Sequence, residues 1–416
     1  MNRITLISSL LACTLLLLSG CYDKKELEQQ AYVIAIGVDK TDEKGLYKFT
    51  FQIANPEVGS AIVGGGSQEE PKETVSITGS DILTATNTAN SFVSREITLD
   101  HTRVLIASEE LARSGDFIRI MQTTARTTQI RRGVQIIVSK EKASEFLNNT
   151  NPKMETRPHK YYQLILSRAK ETGIIPEADI HRFFQLTEGD ADLFLAIYAT
   201  TESEEEKKDG YEDQYTAGQL PKEGGNTTQF MGSAVFKEGV MIDTLDGQST
   251  RLAHVLDPTL EMDDLLSTYP DPIKEEYRIG ADYSQKSGPT INIDYKPGET
   301  TKIDVHIPFQ IEVIAIPSLV DYAQNEDNKK KLRKSIEENL EKKAKELIKK
   351  TQEEYKGEPF YWSLYIRNQF RTIEQFESAD WNKKIYPNAE VSINFDMERL
   401  EFGKMLSDSN LTEVRD

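Results

Sequence analysis

The chain reads as a multi-domain α+β protein of mixed β-sheets with packed helices, in three domains. Three observations carry that reading. Ile303, Val305, Ile307, Phe309, Ile311 and Val313 alternate with mostly polar residues, the period of one long half-buried strand. Lys329 to Tyr355 places Leu332, Ile336, Leu340, Ala344 and Leu347 on one side of a long amphipathic helix. Finally, 416 residues with Cys13 and Cys21 as their two cysteines cannot lean on a disulfide framework, so ordinary cores must hold them, at roughly 150 residues per domain.

The elements follow in order from the N-terminus. Ile4 to Leu18 is an apolar run preceded by Arg3, too short for a span that needs about 20 residues. It reads as the h-region of a signal peptide, residues 1–20. Leu18-Ser19-Gly20-Cys21 then has the small-residue pattern of a bacterial lipobox, in which the thiol receives a diacylglyceryl group and the chain is cut just before it. Cys21 is thus the expected lipidation site and the mature N-terminus. Cys13 leaves with the signal peptide, so the mature chain holds no cysteine pair.

Past a polar tether, Ala31–Val38 reads as a buried strand, and Tyr47, Phe49, Phe51 and Ile53 alternate as a second one, the two forming a hairpin. Residues 57–73, with Gly64-Gly65-Gly66, read as a loop; no Lys-Ser/Thr or helix follows to make it a phosphate cradle. Ile82, Ala85, Ala89 and Phe92 then fall on one helical face. Arg103–Ala107, a helical stretch from Glu109 to about Arg126 broken near Gly115, and Gly133–Val138 give strand, helix, strand, a βαβ unit with parallel pairing. Pro158 opens a helix that Gly173 closes, and Leu193–Ala199 returns as a strand.

Residues 201–227 are charged and poor in aliphatics, and read as an exposed linker or excursion. A second hairpin follows, Gly232–Phe236 and Val240–Leu245, then the long strand, the long helix, a shorter helix around Phe360 to Phe376, and a last strand through Val391, Ile393, Phe395 and Met397. The expected organisation is an N-terminal α/β domain at 21–200, the linker, a middle domain at 228–290 opened by the hairpin, and a C-terminal α+β domain at 291–416. No second βαβ series is visible after residue 227.

Charge limits the function. The net charge is −18, and removing residues 1–20, which carry Arg3 and no acid, makes it −19. Such a body is repelled by an anionic membrane face and lacks the basic stripe a nucleic acid requires, so no nucleic-acid partner is expected and membrane attachment falls to the acyl chains. The long helix nevertheless opens with Lys329, Lys330, Lys331, Arg333 and Lys334, against the sign of its macrodipole. These could face lipid phosphates or an acidic partner, a solvated face being the commoner explanation.

No catalytic, metal or cofactor site can be assembled. The five histidines, His101, His159, His181, His254 and His306, stand apart, without metal-ligand spacing. No serine sits in a nucleophile elbow. Asp243-Thr-Leu-Asp246-Gly247 and Glu188-Gly-Asp190-Ala-Asp192 do not complete a calcium loop and read as turns.

Several blocks resemble one family. Leu18-Ser-Gly-Cys-Tyr-Asp23, Glu26-Leu27 and Val33–Asp39 resemble the opening of the Ger(x)C family, the lipoprotein C subunits of GerA-type spore germinant receptors. His101–Ala112 is similar to its histidine-containing strand and helix, with Arg126 and Arg131 in the arginine-containing segment after it. Gly232–Lys237 and Trp381–Gly403 resemble its second-half hairpin and closing strand. The resemblance implies a three-domain, non-catalytic lipoprotein on the outer face of the spore inner membrane, working with two integral membrane subunits in nutrient-triggered germination. The competing class is the substrate-binding lipoprotein of a membrane transporter, which needs two similar α/β lobes around a polar cleft; a lipid-anchored enzyme comes third.

Overall fold

The computed structural model describes residues 29–55, 70–189, 193–204, 210–261 and 264–403, so Cys21 and residues 56–69 lie outside the described residues. Those that are described build two β-sheets with helices against them, an α+β architecture.

The first sheet starts from β1 (Gln30–Lys40), which pairs antiparallel with β2 (Tyr47–Ala54) as the hairpin pattern predicts. An unassigned strand, β3 (Lys72–Gly79), continues the sheet beyond β2. Helix α1 (Ile82–Ala89) buries Ile82, Ala85 and Ala89 and is capped by Asp81, which accepts from Leu83 N and Thr84 N at 2.9 Å. Phe92 lies past its end and is exposed. Strand β4 (Glu96–Thr98) runs beside the start of β1, and β5 (Val104–Ser108) pairs parallel with β1 farther along. Helices α2 (Glu109–Ala112) and α3 (Phe117–Thr124), separated around Gly115, return the chain to β6 (Gln135–Ser139), parallel to β5: the βαβ unit is present.

Helix α4 (Ala143–Asn149) explains why β2 is buried on both faces rather than half-buried. Its first turn donates Ala143 N and Ser144 N to the buried Asp39 carboxylate at 2.6 and 3.0 Å, and Gln52 donates its amide to Leu147 O at 3.3 Å. The helix presses so close to β1 that a Cβ on Gly37 would meet Leu147 Cδ1 at 2.9 Å and Ala143 Cβ at 3.2 Å, so a larger residue there would push the Leu147 side chain aside. Helices α5 (Pro158–Glu171) and α6 (Ile180–Thr187) lead to β7 (Phe194–Thr200), parallel to β6.

Here the structure departs from the expected domain scheme. The hairpin β8 (Gln229–Lys237) and β9 (Val240–Leu245) adds antiparallel to β7, so the nine-stranded sheet runs β3-β2-β1-β5-β6-β7-β8-β9, with β4 beside β1. Residues 228–290 do not form a sheet of their own: their first hairpin closes the first sheet and their later strands begin the second. Within β8, Gly232 has a φ of +83°, and its approach to Leu245 O leaves no room for a Cβ. The excursion between β7 and β8 is not wholly exposed either. Tyr215 and Ala217 enter the first core, and Asp213 pairs with Arg251 at 3.0 Å, although composition alone made this stretch look solvated.

Helix α7 (Gly247–Leu256) then leads to the second sheet. Its strands β10 (Leu265–Pro270) and β11 (Arg278–Ser284) are antiparallel neighbours, and β12 (Thr290–Asp294) and β11 share one edge of the long strand β13 (Lys302–Ala315). The alternation in β13 is as read: Ile303, Val305, Ile307, Phe309, Ile311 and Val313 are buried while their neighbours face outward. Helix α8 (Glu326–Lys350) covers the inner face with Leu332, Ile336, Leu340, Ala344 and Leu347. It begins earlier than the cation run suggests. Asn325 caps it and Glu326 and Asp327 fill its first turn, so acids meet the positive dipole end and the cations follow them.

The expected single helix near Phe360–Phe376 is two, α9 (Ser363–Arg367) and α10 (Ile373–Ala379), because Thr372 caps a new start by accepting from Gln375 N at 3.2 Å. Strand β14 (Glu390–Glu401) closes the sheet parallel to β13, so β13, α8 and β14 form a parallel crossover that the sequence pattern did not reveal.

Candidate functional site: a wall shared by two cores

The runs Leu193–Ala199 and Gly232–Phe236 are apolar at nearly every position, and the structure shows why. On β7 to β9, Phe194, Ala196, Ile197, Phe230, Ala234, Phe236 and Met241 face the first core. Leu193, Leu195, Val235 and Leu245 face the second. One set of strands therefore forms a wall between two cores, and a strand buried on both faces cannot alternate.

Polar contacts tie the second core's residues to this wall. Lys237 on β8 donates its ammonium to Tyr355 O and Lys356 O at 2.8 and 3.0 Å. On β9, Asp243 receives Tyr355 Oη at 2.5 Å and Lys350 Nζ at 2.8 Å. Burial opposes the Asp243 charge, but these donors outweigh it and hold the carboxyl below its usual range, while burial and the same carboxylate push Tyr355 up. Leu193 N donates to Glu358 O at 2.9 Å, and Gln185 donates to Tyr361 Oη at 3.0 Å. Arg182 pairs with Asp257, which burial raises despite the guanidinium beside it.

Behind the wall the segment after α8 is fixed by one carboxylate. Glu358, with no exposed surface, accepts Phe360 N at 2.6 Å, Ser363 N at 3.1 Å and Trp381 Nε1 at 3.3 Å. Trp362, also fully buried, donates Nε1 to Leu256 O at 2.9 Å and packs against Phe360 and Tyr386. Neither residue belongs to a motif the sequence reading used; an acid followed by Pro359, Phe360, Tyr361 and Trp362 was the available signal.

The residues singled out in the sequence are scattered. His101 packs edge-on against Tyr32, His181 is exposed, His159 is half-buried, and His306 lies near Asn394. Among the described residues no three His, Cys, Asp or Glu side chains group to hold a metal ion. Asp246 caps α7 by accepting from Ser249 N at 2.8 Å, while Asp190 and Asp192 lie outside the described residues. Open hollows of about 730 Å³ beside β3 and about 750 Å³ beside α5 are wide, whereas the cavity between α7, α8 and the second sheet is about 40 Å³.

His254, near the end of α7, is buried, and its Nε2 has no hydrogen-bond partner among the described residues. Burial foremost, with Arg182 and Lys170 nearby, lowers its pKa to about 3. The unfolded chain, with an ordinary value of about 6.5, takes up a proton the folded chain refuses, so stability falls as pH drops from about 6.5 toward 3. His254→Leu is expected to flatten this slope by close to one proton. Urea unfolding across that range checks it, and an unchanged slope refutes the assignment.

The fold and wall define a two-core α+β protein in which part-buried polar groups on β8 and β9 join one core to the other. Residues 23–200 match the family described as "Spore germination protein N-terminal domain", and residues 231–403 match "Spore germination B3/ GerAC like, C-terminal". The chain belongs to this Ger(x)C family of spore germination proteins. Spore germination protein KC of Bacillus subtilis (strain 168) is 32% identical over 155 residues, 36% of this chain and 38% of that protein. Spore germination protein B3 of the same organism is 26% identical over 143 residues, 34% of this chain and 36% of that protein. The aligned stretches thus span less than two-fifths of either relative. The crystal structure of the GerBC protein aligns with a TM-score of 0.48 at 15% identity, over 91% of this chain and 99% of that one. Among the described residues no helix is long and apolar enough to cross a membrane.

Proposed function

We propose that this chain is the lipid-anchored, non-catalytic subunit of a spore germinant receptor, held through Cys21 on the outer face of the spore inner membrane, where it supports or couples two integral membrane subunits. The observation that carries the reading is the pair of germination-family segments, matched in order along the chain and joined through one wall. A body locked by shared strands suits holding and transmitting. A transporter's binding protein instead closes two similar lobes on a solute, whereas the two sheets here differ in strand number and order.

Spores lacking the gene are expected to ignore one class of nutrient yet germinate normally with calcium dipicolinate, which the family resemblance places downstream of the receptors. Each nutrient is scored separately in a strain stripped of paralogous receptors. If stripped spores carrying this gene and its membrane partners respond to none, the receptor reading fails. Loss of solute uptake by growing cells would favour the transporter.

A further inference from the structure

Parallel strands gather their starting ends at one edge of a sheet, and here that edge is where β1 begins, a few residues past Cys21. Arg103 N bonds to Ile34 O at 2.8 Å and Gln135 N to Arg103 O at 3.0 Å, which sets the loops before β5 and β6 beside the first half of β1. His181 N, bonded to Arg132 O at 2.9 Å, adds the start of α6. The side chains of Arg103, Arg126, Arg131 and Arg132 are exposed, and among the described residues no carboxylate pairs with any of them. From Phe117 to Lys140 the chain holds five cations and no acid, in a protein with 68 acids. Among the acids near this edge, Glu96 and Asp100 lie on the β1 and β4 side, Asp179 caps α6 by accepting from Arg182 N, and on the α5 side Glu155 and Glu177 are paired with Arg157 and Lys170.

We infer that this arginine-bearing edge is a docking surface for anionic lipid headgroups. The inference rests on the anchor at Cys21: eight residues separate Cys21 from Gln30, so the edge lies within about 30 Å of the acylated residue. Guanidinium groups fork onto phosphate oxygens, and such attraction acts within a Debye length of about 8 Å. The acyl chains bring an otherwise repelled body close, and the arginines decide which end faces the bilayer. The alternative basic face, the lysines of α8, is partly neutralised by its own acids: Lys334 pairs with Glu338 and Lys345 with Glu341.

The test uses the acylated full chain on vesicles of phosphatidylcholine, with or without equimolar phosphatidylglycerol. A polarity-sensitive dye is placed at Thr128→Cys, on the arginine loop, or at Lys342→Cys, on α8; both positions are exposed. On anionic vesicles the dye at 128 is expected to be shielded from an aqueous quencher several-fold more than the dye at 342. High salt, neutral vesicles, or Arg103→Gln with Arg131→Gln and Arg132→Gln should abolish the difference. Those three substitutions, at about fivefold each, should lower the acylated chain's preference for anionic over neutral vesicles by at least tenfold, while Lys331→Gln with Lys342→Gln should not. Equal shielding on neutral vesicles, or shielding at 342 instead, overturns the proposal. Shielding that appears only with the membrane subunits present assigns the arginines to an acidic protein segment and also overturns it. Failure of the anchor is distinguished beforehand, because unacylated chain does not float with the vesicles at high salt.

Discussion

Trp362→Ala is expected to lower the free energy of unfolding by about 3–5 kcal/mol, enough to threaten a domain of ordinary stability. Trp362 has no exposed surface, so truncation opens a cavity among Phe360, Tyr386 and the rest of the second core. It also leaves Leu256 O, at the end of α7, without its 2.9 Å donor, and a buried unpaired carbonyl adds its own cost. Trp362→Phe separates the two contributions by keeping most of the ring and losing the donor; a penalty of about 1–2 kcal/mol is expected. Chemical denaturation of both variants decides. A change below about 1 kcal/mol for the alanine variant would mean that this segment is not fixed as described.

Cys21→Ala is expected to move the protein from the membrane to the soluble fraction, or to leave it as a signal-retaining precursor. The lipobox sets the attachment point, and two acyl chains contribute about 0.8 kcal/mol per buried CH₂. With a net charge near −19 for the mature chain, general attraction cannot replace them, since an anionic leaflet repels that sum. Cells making the variant are fractionated and their membranes washed with high salt. A variant that stays on the membrane after its signal peptide is cut refutes the anchor.

Sequence patterns reported elements whose burial is one-sided and local. The alternation of β13 and the stripe of α8 are visible because each has one wet face, and the first βαβ unit because its strands lie close along the chain. What escaped is non-local. β3 was hidden by a polar approach and modest alternation, and β14 pairs with β13 only after α8, α9 and α10 intervene. The hairpin β8–β9 was legible as a hairpin but not as part of the first sheet, because sheet membership depends on which core each face meets. The candidate site was less legible still. Lys237, Asp243, Tyr355 and Glu358 read singly as ordinary surface or turn residues, and only tertiary packing gives them partners.

The shared wall means that the boundary between the two family segments is not a boundary in the fold. The two family segments part between residues 200 and 231, yet Thr200 and Gln229 are paired neighbours in β7 and β8. A fragment ending at Thr200 would present β7 as a raw edge, with Leu193 and Leu195 uncovered, an invitation to pair with another chain. Recombining halves between relatives at that boundary would likewise mismatch a wall whose two sides were shaped together. A crossover placed after Leu245 leaves the first sheet whole, so chimaeras that carry β8 and β9 with the N-terminal half are the ones whose first sheet stays closed.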